Sequence, residues 1–386
     1  MDNLKNIIPA ITIIIATTFL YFFHAKLPAP AQDIFELLPY LLLATLVLLS
    51  IFFNQGQLFY LSMASFLSWL FFELALQSQP VLIELCFIGL VIMISVTGLL
   101  VEKGLFSLAA WKIHLLTVLV IGLAYGSWAR QADWLIAWQA YQLLPSSWFQ
   151  WTTLSQLSLL LFLICMVGLL TVYVYLQQRK TFNAVLTLLA AMLINIWQGN
   201  SLAATLTCSA ALLFLLFTTF QQSWHLAYVD QLTGLPGRRA LEERLQRSLG
   251  IYALAMVDVD HFKKFNDTYG HDVGDDVLRM IAAKIDEVKG GGKAYRYGGE
   301  EFTIVFNNHS ADEIKQHLQE VIDVVAETPF VVNRRKNQKP KKVQVTISIG
   351  LTDSLGHANA AETIKTADDA LYTAKKKGRN RLSLNT

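Results

Sequence analysis

The chain has 386 residues, 54% of them hydrophobic, a mean hydropathy of +0.42 and a formal net charge of +2 from 31 basic and 29 acidic side chains. That apolar excess excludes a wholly soluble or a disordered chain, and the balanced charge leaves no footprint for a polyanion such as nucleic acid. The charges are unevenly placed: residues 1–229 hold seven acidic and seven basic side chains, residues 230–386 hold 22 and 24. The chain therefore reads as a membrane half followed by a soluble half. Its three cysteines, Cys86, Cys165 and Cys208, all lie in apolar runs. They read as small buried hydrophobes, neither a disulfide framework nor a zinc site.

A helix needs about 20 apolar residues to cross the hydrocarbon core. Such runs fall near 4–23, 35–53, 57–76, 80–101, 105–129, 154–176, 182–198 and 201–220, predicting an all-α transmembrane bundle over residues 1–220. The first run outlasts the apolar core of a signal peptide and others like it follow, so it reads as a span. With eight spans, Lys5, Lys103, Arg179 and Lys180 share the side of the C-terminal half, against Lys26 and Arg130 opposite. The positive-inside rule then makes that half cytoplasmic. The loop near 130–153 carries Trp134, Trp138, Trp148 and Trp151, which reads as a segment at the outer interface, with a binding loop as the alternative. Glu84, Lys112, His114 and Asn195 fall inside spans. Ionisable groups in lipid face a bundle interior or a cavity, so these form either a structural Glu–His or Glu–Lys pair or a ligand- or proton-sensing pocket. No acidic or histidine relay supports a transporter.

Residues 221–229 carry neither Gly nor Pro, so the last span is expected to continue as a helical junction. Beyond it the pattern alternates between helix and strand. Residues 238–248 read as helix, 251–257 as a buried strand, and 272–288 as an amphipathic helix. Strands at 293–297 and 301–306 are joined by Gly298-Gly299. Helices at 311–327 and 360–376 flank a strand at 343–350, and 381–384 suits a last short strand. The two-glycine turn makes an antiparallel hairpin, which excludes a doubly wound parallel sheet.

Asp258 ends the strand 251–257, at a sheet edge in this reading, and a neighbouring strand of the hairpin would bring Glu300 or Glu301 opposite it. Two carboxylates and a backbone carbonyl suit Mg²⁺, a hard cation that retains several waters, while an acidic pair on a turn is also commonly just solvated. Gly290-Gly291-Gly292-Lys293 lacks the outer Gly and the Ser/Thr of a phosphate loop and reads as a flexible turn. The basic run Arg334-Arg335-Lys336 with Lys339, Lys341 and Lys342 reads as a solvated hairpin tip, with anionic lipid headgroups as the alternative contact.

Four ordered blocks carry a resemblance. DQLTGLPGRR (230–239), DVDHFKKFNDTYGHDVGD (258–275), RYGGEEF (296–302) and AKKKGRNR (374–381) are similar to the conserved blocks of the GGDEF family of diguanylate cyclases. The resemblance covers the C-terminal half, 230–386. It implies an α/β, palm-like fold with a central sheet and the condensation of two GTP into cyclic di-GMP with release of two pyrophosphates. Position by position it implies Mg²⁺, or Mn²⁺ in its stead, on Asp258, the Val259 carbonyl, Glu300 and Glu301. Glu300 is also the candidate proton acceptor, and Lys263 offsets charge on the transferring phosphoryl group. Phe262 and Lys263 offer backbone N–H groups to phosphates. Asn266 and Asp275 read guanine beside His271, and Lys375 and Arg379, on one face if the helix persists, meet the terminal phosphates. Arg296 is a further candidate for phosphates or dimer contacts.

The sequence departs from the family at Gly237, where the pattern has Asn, and by Glu in place of the Asp of the family's name. The first loosens a helix cap and the second keeps the carboxylate. At the family's RxxD product-binding position stand Lys289 and Gly292, so no product-inhibitory site is expected. Closing the product ring needs two facing domains, hence a homodimer. The expectation is an inner-membrane enzyme with its catalytic domain in the bacterial cytoplasm, its membrane region sensing or anchoring. The rival reading is a non-catalytic nucleotide receptor on the same fold.

Overall fold

The computed structural model describes residues 2–75, 80–100, 133–197, 200–247, 250–332 and 341–385, with isolated positions between 104 and 126. The chain divides into two compact units, Met1–Gln221 and Gln222–Thr386.

The first unit is helical: α1 (Asp2–Phe23), α2 (Ala29–Phe52), α3 (Gly56–Ala75), α4 (Pro80–Leu99), α5 (Asp133–Ala140), α6 (Gln156–Leu176), α7 (Arg179–Ile196) and α8 (Ser201–Tyr228). Among the described residues six helices are long and apolar enough to cross a membrane, and Ile83–Leu99 is a shorter apolar helix. The span expected at 105–129 lies largely outside the described residues, as do His114, Lys103 and Arg130. The core is made by α3, α4, α7 and α8, with Leu61, Ala64, Val91, Ile94, Leu188, Ala191, Cys208 and Leu212 buried. Small residues set the spacing. A Cβ on Gly98 of α4 would lie 2.6 Å from the Ala184 Cβ of α7 and 2.9 Å from Leu169 of α6. The outer faces of α1, α2 and α6 are apolar, with Phe22, Leu48, Phe52, Val174 and Tyr175 exposed.

Of the polar residues singled out within the spans, His114 lies outside the described residues and the others can be placed. Glu84 is buried, and its Oε1 accepts from the Ser158 hydroxyl at 2.6 Å and the Ser155 N–H at 3.2 Å. These donors are hydroxyl and amide because the carboxylate sits at the start of α6, where helix N–H groups and the dipole favour an anion. Trp138 of the tryptophan-rich loop also donates to the Ser158 hydroxyl, at 3.2 Å. Asn195 donates to the Ala191 carbonyl within its own helix, and Lys112 is exposed.

α8 continues without interruption to Tyr228. It ends in a loop that closes on itself: the Asp230 N–H donates to the Leu235 carbonyl and the Gly237 N–H to the Tyr228 carbonyl, both at 2.8 Å. The second unit then runs α9 (Arg238–Gln246), β1 (Tyr252–Val259), α10 (Phe262–Tyr269), α11 (His271–Asp286), β2 (Lys293–Gly298), β3 (Glu301–Asn307), α12 (Ala311–Glu327), β4 (Phe330–Val332), β5 (Lys341–Val343), β6 (Ile347–Asp353), α13 (Ala360–Lys376) and β7 (Leu382–Leu384). Five strands form a mixed sheet in the order β2-β3-β1-β6-β7, antiparallel except for β6–β7. Alternation along β1 sorts the two faces. Ala253, Ala255, Val257 and Val259 pack with α11 and α12, while Tyr252, Leu254 and Met256 pack with α9 and α13.

Two local readings change. The strand expected at 343–350 is two strands: β5 pairs with β4 in a separate hairpin, and β6 pairs with β1. Its alternation is continuous across the break, so periodicity gave no sign of the change of partner. α10 was not anticipated, because it is eight residues long and mostly polar. The tip of the basic hairpin lies outside the described residues.

Candidate active site

Asp258 continues the Leu254–Met256 alternation and so emerges on the α13 face. Its register partners are Glu301 on β3 and Ser348 on β6. The sequence reading put it at a sheet edge; it stands instead at the end of the central strand, only 5% exposed. Glu300 lies in a two-residue turn with Gly299, because Gly298 still pairs with Glu301 after a register shift beyond Arg296. Gly299 has φ 52°, a left-handed conformation that costs glycine little.

Three carboxylates thus gather where β1 and the β2–β3 hairpin end. Burial pushes the Asp258 carboxyl up and Asp260 adds repulsion, against the pull of Lys375 and Arg379. Burial and then the Asp258 charge raise Glu300 and Glu301 as well. Desolvated carboxylates that repel one another fit a divalent cation, which removes both penalties together. Among the described residues no three His, Cys, Asp or Glu side chains form a ready-made cage. Mg²⁺ does not require one, since it takes one or two carboxylates and keeps water or phosphate oxygens.

Lys375 donates to the Asp258 Oδ1 at 2.9 Å. It reaches the strand because α13 lies directly on Gly350 of β6, where a Cβ would sit 2.1 Å from both the Ala367 O and the Leu371 N. The helix does not persist to Arg379. α13 stops at Lys376, and Gly378, Arg379 and Asn380 follow with φ of 111°, 62° and 47°. Lys375 and Arg379 therefore do not share a helical face. Arg379 is carried on this turn, near enough to Asp258 to lower its pKa.

α10 begins right after β1, launched by His261 at φ 58°. Phe262 is buried and Lys263 exposed at its first turn, where N–H groups have no partner within the helix. Asn266, further along α10, meets α11: a Cβ on Gly274 would lie 1.9 Å from the Asn266 Oδ1. That oxygen is buried without a hydrogen-bond partner. His271 and Asp275 are four residues apart in α11 and share its face, and Asp275 directly follows the Gly274 that packs against Asn266.

Arg296 is otherwise engaged. Its Nη1 donates to the Asp230 Oδ1 at 2.7 Å and its Nη2 to the Gly299 carbonyl at 2.8 Å. Burial would raise the Asp230 carboxyl, but hydrogen bonds from Arg296 and Thr233 outweigh it and hold it below its usual range. Arg296 thus ties the turn that carries Glu300 to Asp230. Sequence reasoning also passed over Asp260, Gly274 and Gly350. Asp260 stands in the block DVDHFKK and was open to notice; what the glycines touch depends on packing alone.

Residues 227–381 match the family model described as diguanylate cyclase, GGDEF domain. These residues are a GGDEF domain. Diguanylate cyclase DgcP of Pseudomonas aeruginosa is 36% identical over 166 residues, 41% of this chain and 24% of DgcP. Diguanylate cyclase DosC of Escherichia coli is 34% identical over 170 residues, 42% of this chain and 36% of DosC. The matched part thus spans about a quarter to a third of these curated relatives. Among solved structures, the coiled coil and GGDEF domain of DgcB from Caulobacter crescentus, in complex with c-di-GMP, is 32% identical. It covers 48% of this chain and 100% of that chain, with a TM-score of 0.44. Within the GGDEF domain the signature turn is Gly298-Gly299-Glu300-Glu301-Phe302.

Proposed function

We propose that this protein is a membrane-anchored diguanylate cyclase that condenses two GTP into cyclic di-GMP and two pyrophosphates, working as a homodimer with its GGDEF domain in the bacterial cytoplasm. The observation that carries the reading is the pairing of Asp258 with Glu301 across β1 and β3, with Glu300 in the adjoining turn. Asp258, the Val259 carbonyl, Glu300 and Glu301 are the oxygens that would hold Mg²⁺ or Mn²⁺. When bound, the metal supplies charge neutralisation at the α-phosphoryl group. Glu300, in the turn beside Asp258, would take the proton of the attacking 3′-hydroxyl. Lys263, Lys375 and Arg379 supply cations for the phosphates, and the α10 N–H groups of Phe262 and Lys263 add neutral donors.

Guanine offers N1–H and N2–H donors, which a carboxylate accepts as a pair, whereas adenine presents an acceptor at N1. Asp275 therefore reads guanine, with Asn266 beside it and His271 lining the pocket. The unpaired Asn266 Oδ1 is an acceptor that a bound base can satisfy. One GTP per domain cannot close the two-phosphate ring, so a second copy must bring its half-site. The apolar helices support insertion in the inner membrane, where they hold copies together and sense or anchor. Incubating the purified full-length protein with GTP and Mg²⁺ should give cyclic di-GMP by mass spectrometry. GTP binding without that product would favour the receptor reading instead.

A further inference from the structure

The surroundings of Asp260 carry an inference that rests on the cyclase reading and goes beyond it. Asp260 follows β1 directly and is 7% exposed. Its Oδ1 accepts from the Ser348 hydroxyl at 2.7 Å, and its Oδ2 from the Thr346 hydroxyl at 2.7 Å and the Asn380 N–H at 3.0 Å. Its own N–H donates to the Thr346 carbonyl at 2.9 Å. Three of these bonds fasten Asp260 to β6 and its approach. The fourth reaches the turn after α13.

That turn holds an uncommon shape. Arg379 and Asn380 are consecutive side-chained residues in the left-handed region, at φ 62° and 47°. There the Cβ crowds the following carbonyl, which asparagine tolerates better than arginine does. Such a conformation persists only where its surroundings fix it. Two further bonds close the turn on neighbouring chain, Arg379 N–H to the Ala374 carbonyl and Arg381 Nε to the Arg379 carbonyl. The Asp260–Asn380 bond instead ties it to the end of β1, two residues from Asp258. Its acceptor is a buried carboxylate, which grips an N–H more firmly than a neutral oxygen does.

We propose that Asp260 is a positioning residue: it locks the Gly378–Asn380 turn in its left-handed shape and so presets the Arg379 guanidinium for the terminal phosphates of the nucleoside triphosphate. The contribution of Arg379 to affinity then depends on Asp260, while recognition of the base does not.

The test uses the full-length protein and two probes, 3′-deoxy-GTP, which lacks the attacking hydroxyl and so reports binding alone, and guanosine, which lacks phosphates. Asp260→Asn should weaken 3′-deoxy-GTP about tenfold, the scale of one charge-assisted hydrogen bond, and leave guanosine unchanged. Arg379→Ala should show the same pattern, and the double variant should lose no more than Arg379→Ala alone. Asn380→Gly, which takes a left-handed φ without a Cβ, should restore most of the affinity lost in Asp260→Asn. With GTP, KM should rise more than kcat falls. If Asp260→Asn does not fold, Thr346→Ala removes one bond from the same carboxylate and should show a smaller loss of the same kind. Unchanged 3′-deoxy-GTP affinity, an equal loss for guanosine, or losses that add to Arg379→Ala would overturn the proposal. A wild type that fails to bind 3′-deoxy-GTP would instead bring down the cyclase reading, and this inference with it.

Discussion

In Met1–Gln221 many buried polar side chains are answered within their own helix: Ser65, Ser68, Ser95, Thr97 and Asn195 each donate to the carbonyl four residues earlier. In Gln222–Thr386 they are answered across elements: Asp260 by Thr346, Ser348 and Asn380, Asp230 by Arg296, and Asp353 by the Ala311 N–H. The contrast follows from solvent. A helix in hydrocarbon has no water to fall back on, so its donors must be satisfied locally. A sheet can bring distant segments into register and leave carboxylates at its end, where their mutual repulsion is useful to a cation. Glu84, Thr181, which donates to the Gly98 carbonyl, and Thr205, which accepts from Trp69, are answered instead by another helix.

The largest expected effect lies at the sheet end. Asp258→Asn and Glu300→Gln should each lower kcat by about 10²-fold or more, since each deletes a charged oxygen that would hold the divalent cation. Folding should survive, because burial already disfavours both charges. Cyclase rates and thermal melting measured together decide it. Full activity in either variant would mean that the three carboxylates are a structural cluster like Glu84, and the contrast between the units would lose its functional meaning.

The next effect is on base selection. Asp275→Ser removes an acceptor pair, and a lost bidentate contact costs about 1–3 kcal/mol by analogy with base readout in nucleic acids. Preference for GTP over ATP in competition assays should fall by about 10- to 100-fold. Unchanged discrimination would move the reading of guanine to Asn266 or His271.

Glycine substitutions probe how each unit packs. Gly350→Ala sets a Cβ against two backbone atoms of α13 at 2.1 Å, so it should destabilise by about 3 kcal/mol or more, at the upper end of overpacking costs. Gly98→Ala meets side-chain atoms at 2.6 and 2.9 Å, and a shift of Leu169 should keep the loss near 1–2 kcal/mol. Gly168→Ala in α6 has nothing within 4 Å and should gain about 0.5–1 kcal/mol of helix propensity. Calorimetric melting of the full chain would rank the three. Equal effects at 98 and 350 would show that helix-on-helix and helix-on-sheet contacts are equally rigid.

What the sequence made legible follows the same division. Apolar runs located the helices of the first unit because each helix satisfies its own backbone, yet they gave no partner for Glu84, since hydroxyls carry no charge pattern to search for. In the second unit the blocks named the candidate site residues, and alternation along β1 with the glycine turn anticipated an acidic pair across strands. The end of α13 was legible, at 376, but the shape of the turn beyond it was not. The four-residue spacing of Lys375 and Arg379 suits one helical face, and only the left-handed φ of Arg379 and Asn380 shows that Arg379 has left the helix. Arg296 likewise reads as a free cation until the Asp230 and Gly299 oxygens are in place around it.

The smallest expected effect is an absence of feedback. At the position of the family's RxxD motif Lys289 is paired with Glu320 at 3.3 Å. A lysine keeps the charge but lacks the planar fork that grips phosphate and guanine edges, and Gly292 supplies no carboxylate. Cyclic di-GMP should therefore inhibit by competition at the active site alone. Initial rates at rising GTP with added cyclic di-GMP check this, and saturating GTP should restore the rate to within about twofold. The obvious gain-of-site variant, Lys289→Arg with Gly292→Asp, is not a clean control. A Cβ at 292 would lie 2.6 Å from the Phe306 Cε1 and 2.8 Å from Val288, so an aspartate there strains β3 before it can bind anything. Lys289→Arg alone is free of that fault, since the side chain is exposed, and it should leave the inhibition pattern as it is. Inhibition of the wild type that persists at saturating GTP would count against the prediction and point to a second product site built from other residues.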